Sequence, residues 1–141
     1  MPRLKDLLPD REPFSAEPGE MVADVAARMA ALNVGAILVL DRAELRGVFS
    51  ERDLMKRVVV GGLDARRTRV EEVMSTDLTK ADESATVGMA MELMRRCGCR
   101  HLPVMRNNQV VGFISMRDLM LHELEQNAEE IRHMRDYIQS A

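Results

Sequence analysis

The sequence contains a copy of itself. Gly47-Val48-Phe49-Ser50-Glu51-Arg52-Asp53-Leu54-Met55 returns as Gly112-Phe113-Ile114-Ser115-Met116-Arg117-Asp118-Leu119-Met120, at an offset of 65 residues. The offset holds without a gap back to Val22 and Val87, and nine of those 34 aligned pairs are identical. Further back, Leu4-Lys5-Asp6-Leu7-Leu8 resembles Val70-Glu71-Glu72-Val73-Met74 at offset 66, so one residue has been gained between positions 9 and 21. Such a duplication constrains the fold more than composition does, because each copy must form the same supersecondary unit. A unit of about 60 residues buries only about 60% of its unfolded surface and is marginal alone. Packing two units sheet against sheet is the remedy.

The apolar pattern predicts one element order for both copies. A short extended piece, Pro13 to Ala16 or Leu78 to Ala81, leads into a helix with apolar residues three and four apart: Val22, Val25, Met29, Leu32, and then Val87, Met91, Met94, Cys97. A strand follows, Ala36 to Leu40 or His101 to Met105, then a polar turn, and then a second strand ending in Ser50 or Ser115. A second helix starts at Glu51 or Met116. The order is β-α-β-β-α, twice. The predicted organisation is a first repeat over 3–62, a solvated polar linker over 63–69, a second repeat over 70–122 and a helical extension over 123–141. Gly61-Gly62 closes the first repeat.

Composition narrows the class. No apolar run approaches the ~18 residues of a membrane span, and the first residues lack the apolar stretch of a signal peptide. Two cysteines cannot build a disulfide scaffold, which points to a reducing cytoplasm. A net charge of −3 and four aromatic residues argue against nucleic acid as a partner. No nucleophile–base pair, phosphate-binding glycine loop or metal-ligand cluster stands out, so the expectation is a non-enzyme.

The repeated string is Gly, two apolar residues, Ser, two residues, Asp. Its local reading is a capping box, in which Ser caps a helix start. Its functional reading adds a ligand. Gly47 and Gly112 let a ligand approach the backbone; the helix start with Ser50 or Ser115 suits phosphate; Asp53 or Asp118 accepts hydrogen bonds from ribose hydroxyls; Arg52 and Arg117 add charge-assisted contacts.

The doubled pattern, with Val34-Gly35-Ala36-Ile37-Leu38-Val39-Leu40 and Arg100-His101-Leu102-Pro103-Val104 beside it, resembles a tandem pair of CBS domains, or Bateman module, of the free-standing bacterial type. The resemblance spans about residues 3–122. It implies a mixed α/β (α+β) fold, two repeats packed through their sheets with pseudo-twofold symmetry. It also implies two clefts that take an adenosine-containing ligand such as AMP, ADP or ATP. Carried over by position, Asp53 and Asp118 hold ribose, while Ser50 and Ser115 meet phosphate. Pro13, Phe14, Leu78 and Thr79 face adenine, and Ala36, Ile37, His101 and Leu102 line the clefts. Phe14 is the expected aromatic neighbour of adenine, and the charge that matters is local, at Arg52, Arg100 and Arg117. Arg100-His101 stands where the first repeat has Gly35-Ala36, so the clefts are expected to differ. The implied role is regulatory, transmitting ligand state to an effector enzyme or transporter. The alternative is an interaction module with no functional ligand.

Other features read more plainly. Cys97 and Cys99 align with Leu32 and Val34 and are expected as small buried hydrophobes. Met29, Met94, Met55 and Met120 are expected in the core, and His122 and His133 in solvent. Beyond the second repeat, Leu124, Ile131 and Ile138 are seven apart, with Met120, Asn127 and Met134 as a second series. That heptad stripe, continuing to about Gln139, points to a partner helix and most simply to a homodimer.

Overall fold

The computed structural model describes residues 1–140. Its elements, in order, are α1 (Leu4–Leu7), β1 (Ser15–Ala16), α2 (Val22–Leu32), β2 (Ala36–Asp41), β3 (Glu44–Ser50), α3 (Glu51–Asp53, widening into a π-helical stretch over Leu54–Val59), β4 (Ala81–Asp82), α4 (Val87–Cys97), β5 (His101–Arg106), β6 (Gln109–Ser115) and α5 (Met116–Ser140). A 3₁₀ turn, Val70–Glu72, precedes β4. The strands form two three-stranded sheets, β1-β2-β3 and β4-β5-β6, each with a parallel first pair and an antiparallel second pair. Ala16 pairs with Val39 and Ala81 with Val104, which extends the offset of 65 back to position 16. Even the irregularity repeats: both hairpins shift register at matching positions, Val39/Leu40 and Val104/Met105. The first strands are shorter than the patterning predicts, and Pro13 has no N–H to give to a ladder.

The cores run across the sequence boundaries. Val22, Val25, Met29, Ile37, Val39 and Phe49 form the first core, yet Val70 and Val73 complete it. The second core holds Val87, Met94, Leu102, Val104, Ile114 and Leu119, and Leu4 completes it. Backbone bonds fix this exchange: Leu4 N–H donates to Ala85 O at 2.9 Å, and Val70 N–H donates to Glu20 O at 2.8 Å. The lead-in segment of each repeat therefore docks on the other repeat. Leu8 then lies over Gly112 and Met74 over Gly47, in the space a Cβ would occupy. β3 and β6 lie against each other between the two cores.

The segment 63–69 is exposed, as expected of a solvated linker, except at Ala65 and Thr68. Thr68 is buried, and its hydroxyl donates to Asp64 O at 2.8 Å. Val22 N–H donates to Thr68 O and Ala23 N–H to Ala65 O, both at 2.9 Å. These carbonyls satisfy helix-start donors that the cap residue Met21 has no side chain to reach. In α4 the same task falls to Thr86, whose hydroxyl accepts from Met89 N–H at 3.2 Å.

The second helices also correct the sequence reading. Leu119 points inward and is fully buried, so Met120, about 100° further round, is exposed; Met55 is exposed in the matching place. His122 is half-buried rather than solvated, and its Nε2 is buried without a partner. α5 leaves the body after this turn. Every residue from Glu123 to Ser140 is exposed, including Leu124, Ile131, Met134 and Ile138. Ala141, the last residue of the predicted extension, lies outside the described residues.

Candidate ligand cleft between the repeats

Each repeat ends its hairpin on a satisfied capping box. Asp53 N–H donates to Ser50 Oγ at 3.1 Å, and Asp53 Oδ2 accepts from Ser50 N–H at 3.0 Å and from Ser50 Oγ–H at 3.0 Å. Asp118 and Ser115 repeat the backbone part, at 2.9 and 3.0 Å. The local reading of the motif is thus what the structure shows in both copies. The copies differ in setting. Asp53 is 8% exposed, and its Oδ1 also accepts from Ser75 Oγ–H at 3.0 Å, with Arg57 Nε at 3.8 Å. Asp118 is exposed.

A cavity of about 250 Å³ opens beside the first box. The first repeat gives it Gly35, Val48 and the run Ser50 to Asp53. Ser75, Asp77, Leu78 and Thr79 enter from the segment that leads into β4, and the second repeat closes it with the run Cys97 to His101 and with Pro103. Its walls therefore come from both repeats. Gly35 keeps the floor open: a Cβ there would come within 3.2 Å of Glu51 Oε1 and 3.8 Å of His101 Cε1.

His101 is the ring in this cleft. It stacks on Phe113, with centroids 5.3 Å apart and planes 22° from parallel. Burial pushes its pKa below the ordinary 6.5, opposed by the nearby carboxylates of Asp118 and Glu51. The imidazole is accordingly held neutral near pH 7. Arg52 and Arg100 line the same cleft, and among the described residues neither has a carboxylate within 4.0 Å. Two guanidinium groups without a carboxylate partner and a buried carboxylate offer a phosphate and a polyhydroxy group somewhere to bind. Among the described residues no three His, Cys, Asp or Glu side chains converge as a metal-binding group.

The structure brings seven of the expected residues to this cavity: Ser50, Arg52, Asp53, Leu78, Thr79, Arg100 and His101. It does not bring the rest. Ile37 and Leu102 are fully buried in the two cores, because alternate residues of a strand face opposite ways; His101 and Pro103 take the cleft side of β5. Ala36 is also buried. Gly47 and Gly112 make room for Met74 and Leu8 rather than for a ligand. Ser115, Arg117, Asp118, Pro13 and Phe14 lie outside this cavity, and the guanidinium of Arg11 sits 4.1 Å over the Phe14 ring. Sequence reasoning missed Ser75, Glu51, Asp77 and Pro103. The period of two in β5 carried the signal for Pro103. Ser75 matches Pro9 at offset 66, so the repeat carried none for it. The cysteines also differ from the expected small buried hydrophobes: Cys97 is exposed and Cys99 half-buried.

Comparison with known proteins places this architecture. The CBS domain family model matches residues 4–60 and again 70–125. CBS domain-containing protein YhcV of Bacillus subtilis is 32% identical over 110 residues, covering 78% of each chain. A CBS-domain containing protein from Agrobacterium tumefaciens superposes with a TM-score of 0.80 at 29% identity, over 86% of this chain and 99% of that one. A CBS domain protein from Pyrobaculum aerophilum, solved as a complex with AMP, gives a TM-score of 0.74 at 28% identity, over 82% and 88%. The chain belongs to the CBS-domain family, as a tandem pair of such domains. Among the described residues no helix is long and apolar enough to cross a membrane.

Proposed function

We propose that the pair is a regulatory module that binds an adenine nucleotide between its repeats and passes the bound state to an effector enzyme or transporter. The observation that carries this is the two-sided cleft: the Ser50–Asp53 cap from one repeat faces Arg100 and His101 from the other. A ligand touching both walls has a different affinity for each relative position of the repeats, which is the condition for shifting that position. The AMP complex of the Pyrobaculum aerophilum relative supports adenosine chemistry. At about 250 Å³ the cavity approaches the ~300–1,000 Å³ span of small-molecule pockets. In this reading Asp53 Oδ1 accepts from a ribose hydroxyl, the phosphate lies against Arg52 and Arg100, and the base enters between Leu78, Thr79 and the His101 ring. No reaction is assigned, since the Ser50 hydroxyl is occupied in capping α3. The exposed apolar row along α5 supports a second copy of the chain as partner.

Calorimetry with AMP and adenosine on the wild type and on Arg100→Ala tests the reading. Arg100→Ala is expected to weaken AMP about tenfold, the order of one charge-assisted hydrogen bond, and to leave adenosine unchanged. No binding of AMP, ADP or ATP by the wild type overturns it. That outcome selects the second reading, an interaction module without a functional ligand, which the prior engagement of the Asp53 carboxylate by Ser50 and Ser75 also favours.

A further inference from the structure

α5 runs on past its repeat with an apolar seam that the body leaves uncovered. Leu124, Ile131 and Ile138 are seven apart, and Met120, Asn127 and Met134 each stand four residues before one of them, so the two series share one face. All six are exposed. The body starts this helix: Met116 N–H donates to Arg100 O at 2.8 Å, and Leu119 is fully buried. A helix nucleated in this way lacks only a cover for its seam. The residues beside the seam discriminate between covers. Glu123 and Glu130 flank it on one side, Ala128 and Arg135 on the other. Among the described residues, Glu123, Glu130 and Arg135 have no opposite charge within 4.0 Å.

We propose that α5 pairs with α5 of a second copy as a parallel, in-register two-stranded coil, which sets the two bodies side by side at its N-terminal end. This rests on the second-copy reading above and adds orientation and register to it. In a parallel coil a residue on the first flank meets the residue five further along on the partner's second flank. Glu130 then meets the partner's Arg135, twice by symmetry, and Glu123 meets the partner's Ala128. No like charges face each other. The antiparallel pairing that keeps the apolar row matched sets Met120 against the partner's Ile138 and Leu124 against the partner's Met134. It brings each flank against itself, so Glu130 meets the partner's Glu130 and Arg135 meets the partner's Leu121. It also buries Asn127 against the partner's Ile131, where the amide loses its hydrogen bonds. In the parallel register the two Asn127 amides face each other, and each carries both donors and an acceptor. β-branched Ile131 and Ile138 in one series, with none in the other, suit two strands.

Sedimentation equilibrium at low salt on the full chain compares the wild type with Glu130→Arg, with Arg135→Glu and with the double exchange. Each single exchange turns two attractive contacts into two repulsive ones and is expected to weaken the dimer about tenfold. The double exchange restores both contacts with signs reversed and is expected to recover the dimer to within about threefold. Both positions are exposed, and circular dichroism checks that α5 is intact in every variant. Met134→Cys, in a Cys97→Ser/Cys99→Ser background, is expected to crosslink to its own copy under mild oxidation. In the antiparallel pairing the two sulfurs would stand about 15 Å apart along the axis, at ~1.5 Å per residue, out of reach of such a bond. Unchanged association in both single exchanges, or a dimer that does not crosslink, overturns the proposal while leaving a second copy as partner. A wild-type dimer that Ile131→Asp leaves intact puts the interface elsewhere and overturns it too. A wild type that is monomeric at tens of micromolar overturns the proposal and the second-copy reading together.

Discussion

Asp53 and Asp118 occupy the same place in a repeated motif and do different work. Each closes a capping box, but only Asp53 is buried and only Asp53 also holds Ser75. Removing its carboxylate leaves Ser75 Oγ and Ser50 N–H unsatisfied next to the core. Asp53→Ala is expected to lower unfolding free energy by about 1–3 kcal/mol, the cost of orphaning such groups. Asp118→Ala, at an exposed cap, is expected to cost less than about 1 kcal/mol. Urea denaturation of both variants measures the difference, and equal losses contradict the asymmetry. The motif's capping chemistry was legible in the sequence and its asymmetry was not, because the extra hydrogen bond at Asp53 comes from Ser75, which has only Pro9 as its counterpart in the other copy.

The elements show how far a repeat can be read. Both long helices begin and end where the apolar spacing placed them, Val22–Leu32 and Val87–Cys97, because each carries its own apolar face and its own left-handed cap. Both hairpins were equally legible, through alternation on either side of a polar turn. The lead-in segments were not. Leu4 and Val70 match each other in sequence, which says they do the same job, yet the job is to fill the other repeat's core. Long-range docking leaves no periodic trace. It makes a prediction at this level: Leu4→Ala is expected to cost about 2–5 kcal/mol in a urea melt, as for a buried core leucine. A loss below about 0.5 kcal/mol, the usual range for surface positions, contradicts the docking.

At the scale of the molecule, two cores share their lead-in segments and enclose a cleft that neither forms alone, while α5 carries an apolar row beyond the body. Its 25 residues extend about 37 Å at ~1.5 Å per residue, and the row is left exposed by the described residues. Self-association through this row predicts a dimer in sedimentation equilibrium and a monomer for Ile131→Asp, with circular dichroism unchanged. A monomeric wild type at tens of micromolar, a concentration at which a stable interface is populated, contradicts it.

If the cleft between the repeats binds an adenosine phosphate, titrating AMP into ¹⁵N-labelled protein produces saturable shifts centred on Gly35, Ser50 to Asp53, Thr79, Arg100 and His101, drawn from both repeats at once. Shifts confined to one repeat, or none at millimolar AMP, the weak end of specific binding, contradict it.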